Sequence, residues 1–383
     1  MLRNRLISRL HKIDWDFPGA LSDSPFSAIH WHPARLPSQV AAACIGVLSE
    51  PGDIILDPFL GSGTTIVEAQ RLDRVSVGFD INPISCKISR AKTLELPATP
   101  IGRMVVALKN KAEELLQPRF DSRFSDPVIP VTVQAKWYTE RVRQHLGLLW
   151  ELVISSRGSS RILAESAFSA TLLPVCRETR HWGYVCDNST PKGQHEGSPI
   201  LEFCRILDRI RRAYDERDQD RRIRPNSREK LAGSTICCGD SRDLLSTIPD
   251  NSIDLIITSP PYYGVSDYVK SQRLSAEWFG IEIEPLRLSE IGARSKRHRQ
   301  KSGVDYISEL HDVFEQAYRC LKPNCACVVI IGESVKRKSV VPSFIRDILG
   351  IGFKKVLQRK RHVSQQRRQL AVIETETILV LRS

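Results

Sequence analysis

The stretch IILDPFLGSGTTIVEAQRLDRVSVGFD, residues 54–80, decides the fold. It opens with a short apolar run, breaks into a loop that contains Gly61 and Gly63, and continues with helical spacing. A second apolar run, VSVGFD, ends at Asp80. Strand, loop, helix and strand in this order are typical of parallel α/β sheets, which bind ligands beyond the carboxyl ends of their strands. We therefore predict a doubly wound α/β sheet with a binding site at residues 57–65.

The same rhythm resumes late in the chain. Further apolar runs lie at 234–240, 253–261, 325–333, near 354–363 and in the final ETILVLRS. Together with the first two runs they make seven candidate strands. The last two are close enough in sequence to pair antiparallel, which predicts a seven-stranded, mostly parallel sheet with an antiparallel edge strand.

The interval between the two groups of strands has a helical pattern. Residues 136–154 and 160–175 place apolar side chains at helical spacing. An arginine-rich run with many acidic residues follows at 205–230, which we interpret as a solvated, salt-bridged helix face. The sequence therefore predicts a largely helical insertion in the sheet.

Charge and composition indicate a polyanionic partner. The formal net charge is +12 over 383 residues, and basic runs at 294–301 and 354–368 are candidates for phosphate contacts. No run approaches the ~18 apolar residues that span a bilayer, and the N-terminal residues do not resemble a signal peptide. We expect a cytoplasmic protein with no membrane partner. The ten cysteines lack a paired CxxC pattern, so we expect reduced, buried thiols and no metal site.

The glycine loop DPFLGSGTT, residues 57–65, is the first of four motifs that carry chemistry. Its glycines let a ligand approach the backbone closely. It lacks both the GxGxxG spacing that binds a pyrophosphate and the lysine of a phosphate-binding P-loop. We therefore expect it to hold a nucleoside without a polyphosphate, the alternative being a simple turn.

Two aspartates follow later strands. Asp80 comes about twenty residues after the glycine loop, where a carboxylate can take both hydroxyls of a ribose. Alternatively, Asp80 caps the helix that Pro83 opens. Asp240 ends the resumed strand and could accept a hydrogen bond from an adenine amino group, or could cap a helix of its own. Each aspartate therefore has a binding and a structural interpretation.

The fourth motif is TSPPYYG, residues 258–264, which also follows an apolar strand. Its two prolines remove two backbone donors and leave carbonyl oxygens rigidly aimed. An exocyclic amino group offers two donors, which Ser259 and the Pro260 carbonyl can accept, while the Tyr262 ring can stack on a base. A plain proline turn is the alternative interpretation.

With these four motifs the sequence resembles the amino-group DNA methyltransferases, which methylate N4 of cytosine or N6 of adenine. DPFLGSGTT is similar to their cofactor motif and TSPPY to their catalytic motif. HPARLPSQVAAACIGVLSEPGD at 32–53 resembles their cofactor-side helix, and CGDSRDLLSTIPDNSIDLIITSPPYYG at 238–264 and LKPN at 321–324 are also family-like. The resemblance implies the class I S-adenosylmethionine-dependent methyltransferase fold, S-adenosyl-L-methionine as cofactor and double-stranded DNA as substrate. It also implies a role in restriction-modification beside a restriction endonuclease.

The resemblance assigns residues as well. The implied cofactor-binding residues are Asp57, Phe59, Gly61, Ser62, Gly63, Thr64, Asp80, Asn82 and Asp240. The implied catalytic residues, which would hold a target base flipped out of the duplex, are Ser259, Pro260, Pro261 and Tyr262. Serine at the position of the aspartate usual in adenine-modifying members favours N4 of cytosine. The cofactor half precedes the catalytic motif, whereas the catalytic motif often comes first in the SPPY group.

The resemblance divides the chain into three parts. Residues 1–95 hold the cofactor-side helix and the first half of the sheet, and residues 233–383 hold the second half with the catalytic loop. The mainly helical insertion, residues 96–232, is then a candidate for target recognition. Its candidate aromatic and histidine residues are Trp137, Tyr138, His181, Trp182 and Tyr184. Three other functions stay open: N6-adenine methylation, methylation of an RNA guanine amino group, and catalytically inactive nucleic-acid binding.

Overall fold

The computed structural model of the chain describes residues 4–17, 24–32, 35–116, 127–177, 191, 197–224, 231–293, 302–334, 339–363 and 373–383. Several predictions fall outside these residues: the basic run 294–301, residues 364–368 of the second basic run, and His181, Trp182 and Tyr184 of the insertion.

The strands pair in the order β3-β2-β1-β4-β5-β7-β6. Their bounds are β1 Ile54–Asp57, β2 Val75–Asp80, β3 Ser234–Cys238, β4 Ile253–Thr258, β5 Leu321–Ser334, β6 Lys354–His362 and β7 Ile373–Arg382. β1 to β5 are mutually parallel, and β7 runs antiparallel to both of its neighbours. The doubly wound, mostly parallel sheet of seven strands is confirmed.

The position predicted for the antiparallel strand is wrong. β7 lies between β5 and β6 rather than at the edge of the sheet. The physical reason is visible in the burial of the two strands. Ile378 to Leu381 of β7 are fully buried, whereas most of the charged residues of β6 are exposed. A continuously apolar strand needs cover on both faces, and an exposed edge tolerates lysine and arginine.

Helices surround the sheet. They are α1 Asn4–His11, α2 Ser38–Leu48, α3 Thr64–Arg71, α4 Pro83–Lys92, α5 Ala98–Glu114, α6 Glu140–Ser155, α7 Gly158–Leu172, α8 Pro199–Ile223, α9 Ser241–Leu244, α10 Tyr268–Ser271, α11 Arg273–Phe279, α12 Ile283–Ser289, α13 Ser302–Cys320 and α14 Val341–Ile351. Short 3-10 helices lie at Pro25–Ala28, Ala135–Trp137 and Leu245–Thr247. In the described part of the chain, no helix has the length and apolar character needed to cross a bilayer.

Alternation along the strands builds one hydrophobic core on each face of the sheet. In β5, Val328 and Ile330 pack with α2, while Cys327 and Val329 pack with α13 and α14 on the opposite face. Side chains of a strand point alternately to the two faces, so a sheet covered on both sides needs an uninterrupted apolar run. This explains why the strands appear in the sequence as continuous apolar segments.

The helices between β2 and β3 form a core of their own with elements outside the insertion. α5 to α8 pack around Trp150 and Phe168, and Trp278 of α11 joins them, with the Phe168 and Trp278 ring centroids 5.1 Å apart. Trp137 and Tyr138 are buried in this core, and the Trp137 indole donates to Glu277. Trp137 and Tyr138 are therefore core residues and do not form an exposed base-reading surface.

The arginine-rich helix α8 differs from the prediction along part of its length. Arg205, paired with Glu202, lies on an exposed face as expected. By contrast, Arg217 is buried and donates to the backbone carbonyl of Leu96 at 2.6 Å, and Arg221 pairs with Asp73. These buried arginines attach α8 to the loops beside α3 and α4.

The cysteine prediction also needs one correction. Cys238, at the end of β3, is exposed, whereas Cys44, Cys86 and Cys327 are buried as expected. β3 is the edge strand beside β2, which leaves its last residue open to solvent.

Candidate active site

The glycine loop lies between the carboxyl end of β1 and the start of α3. Its backbone is tied to the end of β2, because the Leu60 N–H donates to the Phe79 carbonyl at 2.8 Å and the Gly61 N–H donates to Asp80 Oδ2 at 2.7 Å. Gly63 has φ of +80°, and a Cβ there would lie 2.9 Å from Ser89 Cβ. Gly63 is therefore required by both backbone conformation and packing.

Asp80 holds this loop but does not cap the following helix. Its Oδ2 accepts from Gly61 and its Oδ1 accepts from the Asn82 N–H at 2.8 Å. The cap of α4 is Asn82, whose side chain accepts from the Ile84 N–H. Burial raises the pKa of Asp80 to about 7. Each carboxylate oxygen can accept a second hydrogen bond, so Asp80 retains the capacity to take two ribose hydroxyls.

Asp240 has a structural contact as well as a place in the site. It caps the short helix α9 by accepting from the Arg242 N–H at 2.9 Å, and its carboxylate also pairs with the Arg242 guanidinium. It lies on the wall of the same cavity as Asp80. The capping interpretation is thus present in the structure, and adenine binding by Asp240 stays a prediction.

The loop after β4 is joined directly to the glycine loop. The Thr258 hydroxyl donates to Asp57 Oδ1 at 2.7 Å, which links the carboxyl ends of β4 and β1. Burial raises the pKa of Asp57 to about 6. Further along, the Tyr306 hydroxyl donates to the Pro261 carbonyl at 2.8 Å. Among the described residues, none donates to the Pro260 carbonyl, and Pro260 lines the cavity described below.

Tyr262 lies beneath this loop. It is 2 % exposed, and its hydroxyl donates to Glu376 Oε1 at 2.8 Å. The ring packs against Gly332, where a Cβ would lie 2.8 Å from Tyr262 Cδ2. Tyr262 is not among the residues that line the cavity, whereas Tyr268 is. Base stacking by Tyr262 therefore stays a prediction, and it requires the ring to leave its present position.

A cavity that is open to solvent brings the two loops together. The predicted residues on its wall are Asp57, Phe59, Gly61, Ser62, Thr64, Asp80, Asn82, Asp240, Ser259, Pro260 and Pro261. Of the predicted site residues, Gly63 and Tyr262 do not line it.

Sequence reasoning missed other residues of the wall. They include His32, Arg35, Tyr268, Ser289 and Glu290. His32 and Arg35 lie in the segment that resembles the cofactor-side helix, so this segment was the available signal for them. Tyr268 and Glu290 follow the catalytic motif without a recognisable spacing. Their contact, a 2.5 Å hydrogen bond from the Tyr268 N–H to Glu290 Oε1, appears only in the folded chain.

The family is decided by comparison with known proteins. The family profile described as DNA methylase, that of the N6/N4 methyltransferases, matches residues 9–91 and 253–383, which is more than half of the chain. The chain belongs to the N6/N4 DNA methylase family. Its cofactor is S-adenosyl-L-methionine, and its sheet has the class I S-adenosylmethionine-dependent methyltransferase fold.

Relatives of this DNA methylase include type II methyltransferases. The chain is 23 % identical to the type II methyltransferase M.MjaII of Methanocaldococcus jannaschii, over 84 % of this chain and 76 % of the relative. It is 26 % identical to M.MvaI of Kocuria varians, over 67 % of this chain and 58 % of the relative. The chain thus spans about three-quarters of the first relative and less than two thirds of the second.

A solved structure in the comparison contains the cofactor. TTHA0409 of Thermus thermophilus, complexed with S-adenosyl-L-methionine, is 18 % identical over 37 % of this chain and 50 % of that chain. The TM-score is 0.24, so the overall structural likeness is weak.

Buried polar groups in the cavity of this DNA methylase provide an independent test of whether the cofactor fits there. Ser62 Oγ and Asn82 Nδ2 have no hydrogen-bond partner among the residues that the structure describes, although the two residues are only 3 % and 4 % exposed. Both residues line the cavity. A buried polar group without a partner costs about 1–3 kcal/mol. Two such groups beside the Asp80 carboxylate are consistent with a polar, nucleoside-containing ligand.

Proposed function

We propose that this protein transfers the methyl group of S-adenosyl-L-methionine to the exocyclic N4 amino group of cytosine in double-stranded DNA. The observation that carries the proposal is the shared cavity, whose lining includes Ser259 as well as Gly61 and Asp80. A base amino group held by Ser259 would therefore face a methyl donor held by the glycine loop.

In this proposal the first half of the sheet holds the cofactor. Asp80 takes the ribose hydroxyls and Asp240 the adenine amino group. Asp57, Phe59, Gly61 and Thr64 surround the methionine end and the nucleoside, with Gly63 shaping the loop. The two buried groups without partners, on Ser62 and Asn82, gain hydrogen bonds from the bound ligand. Their lack of partners in the described part of the chain supports this assignment.

The catalytic loop supplies acceptors for the target. When bound, the cofactor supplies a methyl group already activated on a sulfonium. The amino lone pair of cytosine is delocalised into its ring and is a poor nucleophile. Hydrogen bonds to Ser259 Oγ and the Pro260 carbonyl favour the attacking form of this nitrogen and stabilise its developing positive charge. Pro261 keeps the loop rigid, so much of the catalysis is in-line positioning.

The target base must leave the helix to reach these acceptors. Its amino nitrogen cannot be approached in line while the base is stacked, so we propose base flipping into the cavity. Serine at position 259, in place of aspartate, favours cytosine over adenine. The exposed lysines and arginines of β6 are candidates for phosphate contacts, and the insertion is a candidate for target recognition.

The cellular setting follows from the relatives. Both M.MjaII and M.MvaI are named as type II methyltransferases. By analogy, we propose that the protein acts in the cytoplasm within a restriction-modification system and protects DNA from a partner endonuclease.

Product analysis tests the proposal. The protein is incubated with S-adenosyl-L-methionine carrying an isotopically labelled methyl group and with long unmethylated DNA or RNA. The nucleosides are then identified by mass spectrometry. We expect labelled N4-methylcytosine from DNA alone. Labelled N6-methyladenine would overturn the choice of base, and labelled RNA guanine would overturn the choice of nucleic acid. A protein that binds the cofactor but yields no methylated nucleoside would overturn the catalytic proposal.

A further inference from the structure

Buried polar contacts connect the catalytic loop to the last two strands of the sheet. The Tyr262 hydroxyl donates to Glu376 Oε1 of β7 at 2.8 Å, and Arg361 of β6 donates to Glu376 Oε2 at 2.8 Å. On the other side, Ser259 Oγ lies 3.3 Å from the Tyr262 hydroxyl. Tyr262, Glu376 and Arg361 are 2 %, 8 % and 5 % exposed. The chain of contacts is therefore screened from solvent along most of its length.

The charged pair of Arg361 and Glu376 determines which group donates and which accepts in every hydrogen bond of this series. A guanidinium can only donate and a carboxylate can only accept. Glu376 forms a buried ion pair with Arg361, so both oxygens of its carboxylate accept. The Tyr262 hydroxyl, which has one proton, must then donate it in the hydrogen bond to Glu376. Its oxygen can only accept, so Ser259 must donate its own proton to Tyr262.

The tyrosine keeps that proton. Burial and the neighbouring Glu376 carboxylate raise the pKa of Tyr262 well above its usual value. The hydroxyl of Ser259 therefore faces a permanent acceptor. With its proton directed at Tyr262, the remaining lone pairs of Ser259 Oγ are left for a ligand on the cavity side.

We propose that Arg361 and Glu376 are positioning residues that make Ser259 an obligatory hydrogen-bond acceptor toward the amino group of the target base. This rests on the proposed function. A free serine hydroxyl donates or accepts, whereas an amino group that is to be methylated needs an acceptor. An aspartate carboxylate can only accept hydrogen bonds. In this series of contacts the neutral Ser259 hydroxyl is likewise restricted to accepting from the target base, because its own proton is donated to Tyr262.

Glu376→Gln tests this inference with little change of shape. Arg361 donates to the new amide oxygen, so the amide nitrogen faces Tyr262 and can only donate. Tyr262 then accepts from the amide instead of donating to it, so its own proton is free for Ser259. Ser259 no longer has to donate to Tyr262. We expect kcat for methylation of long unmethylated duplex DNA to fall about tenfold or more. The KM for DNA and the Kd for S-adenosylhomocysteine should stay within about twofold of wild type.

Asp73→Asn is the matched control. Asp73 forms a buried ion pair with Arg221, and it precedes β2 at the end of the sheet opposite to the cavity. The substitution makes the same change of carboxylate to amide beside a buried arginine. We expect a comparable loss of thermal stability and an unchanged kcat. Equal kcat values in the two variants would overturn the inference while leaving the proposed function intact.

Two further variants separate positioning from folding. Tyr262→Phe leaves the ion pair of Arg361 and Glu376 in place and removes the hydroxyl that joins Glu376 to Ser259, so it should lower kcat as Glu376→Gln does. In a Ser259→Ala background, Glu376→Gln should cause no further loss; full additivity of the two losses would overturn the inference. A wild-type protein that methylates no DNA would overturn the proposed function and this inference with it.

Discussion

Replacing Gly63 with alanine should weaken cofactor binding by this DNA methylase. Gly63 has φ of +80°, and an added Cβ would lie 2.5 Å from Ser89 Oγ and 2.9 Å from Ser89 Cβ. The hydroxyl of Ser89 can rotate, but its Cβ is fixed by the backbone of α4 and the residue is fully buried. The glycine loop must therefore move away from α4, and its neighbours Ser62 and Thr64 on the cavity wall must move with it.

The size of the effect follows from two costs. A non-glycine residue in the left-handed region costs roughly 1–2 kcal/mol. An extra carbon forced into a packed site costs roughly 1–3 kcal/mol. If the loop shifts to relieve the second cost, we expect the binding free energy of the cofactor to weaken by about 1.4 kcal/mol or more, which raises its Kd about tenfold. The remainder lowers the free energy of unfolding.

Calorimetric titration with S-adenosylhomocysteine and thermal unfolding measure the two parts separately. Gly46→Ala is the control, because Gly46 lies in α2 and an added Cβ there would meet no atom within 4 Å. Alanine there should stabilise the helix by roughly 0.5–1 kcal/mol and leave the Kd unchanged. If Gly63→Ala matched Gly46→Ala in both measurements, the packing argument for the glycine loop would be refuted.

Three further predictions concern other parts of the molecule. Gly332→Ala should displace the Tyr262 ring and lower kcat with little change in cofactor affinity; an unchanged kcat would contradict it. Since burial raises the pKa of Asp80 to about 7, S-adenosylhomocysteine should bind more tightly at about pH 8 than at about pH 5.5. Asp80→Asn should reduce this dependence and leave the smaller part due to Asp57, whose pKa is about 6, and a pH-independent wild type would argue against the ribose role. Burial lowers the pKa of His30 to about 4, so the unfolded chain binds more protons below about pH 6.5 and stability falls, by roughly 3 kcal/mol at pH 4. Urea denaturation should show this loss in wild type and not in His30→Gln; equal losses would refute it.

Much of the fold could be predicted because its signals are local. The strands β1, β2 and β4 and the loops that follow them are contiguous segments, so their order along the chain revealed a parallel sheet. Most of the predicted cofactor residues line one cavity because parallel strands end at a common edge. Capping was harder to predict, since the sequence suggested Asp80 as a candidate cap of this helix, and only the structure identifies Asn82 as the cap of α4.

The sequence by itself determined the glycine loop, the proline loop and the number of strands, because each depends on residue types at short spacing. Only the tertiary structure decided that β7 lies inside the sheet, that Tyr262 is buried, and that Glu376 and Arg361 contact the catalytic loop. Tyr262 and Glu376 lie 114 positions apart. No local pattern encodes such a pair, because their contact depends on which strand packs beside β5 after the whole sheet has formed.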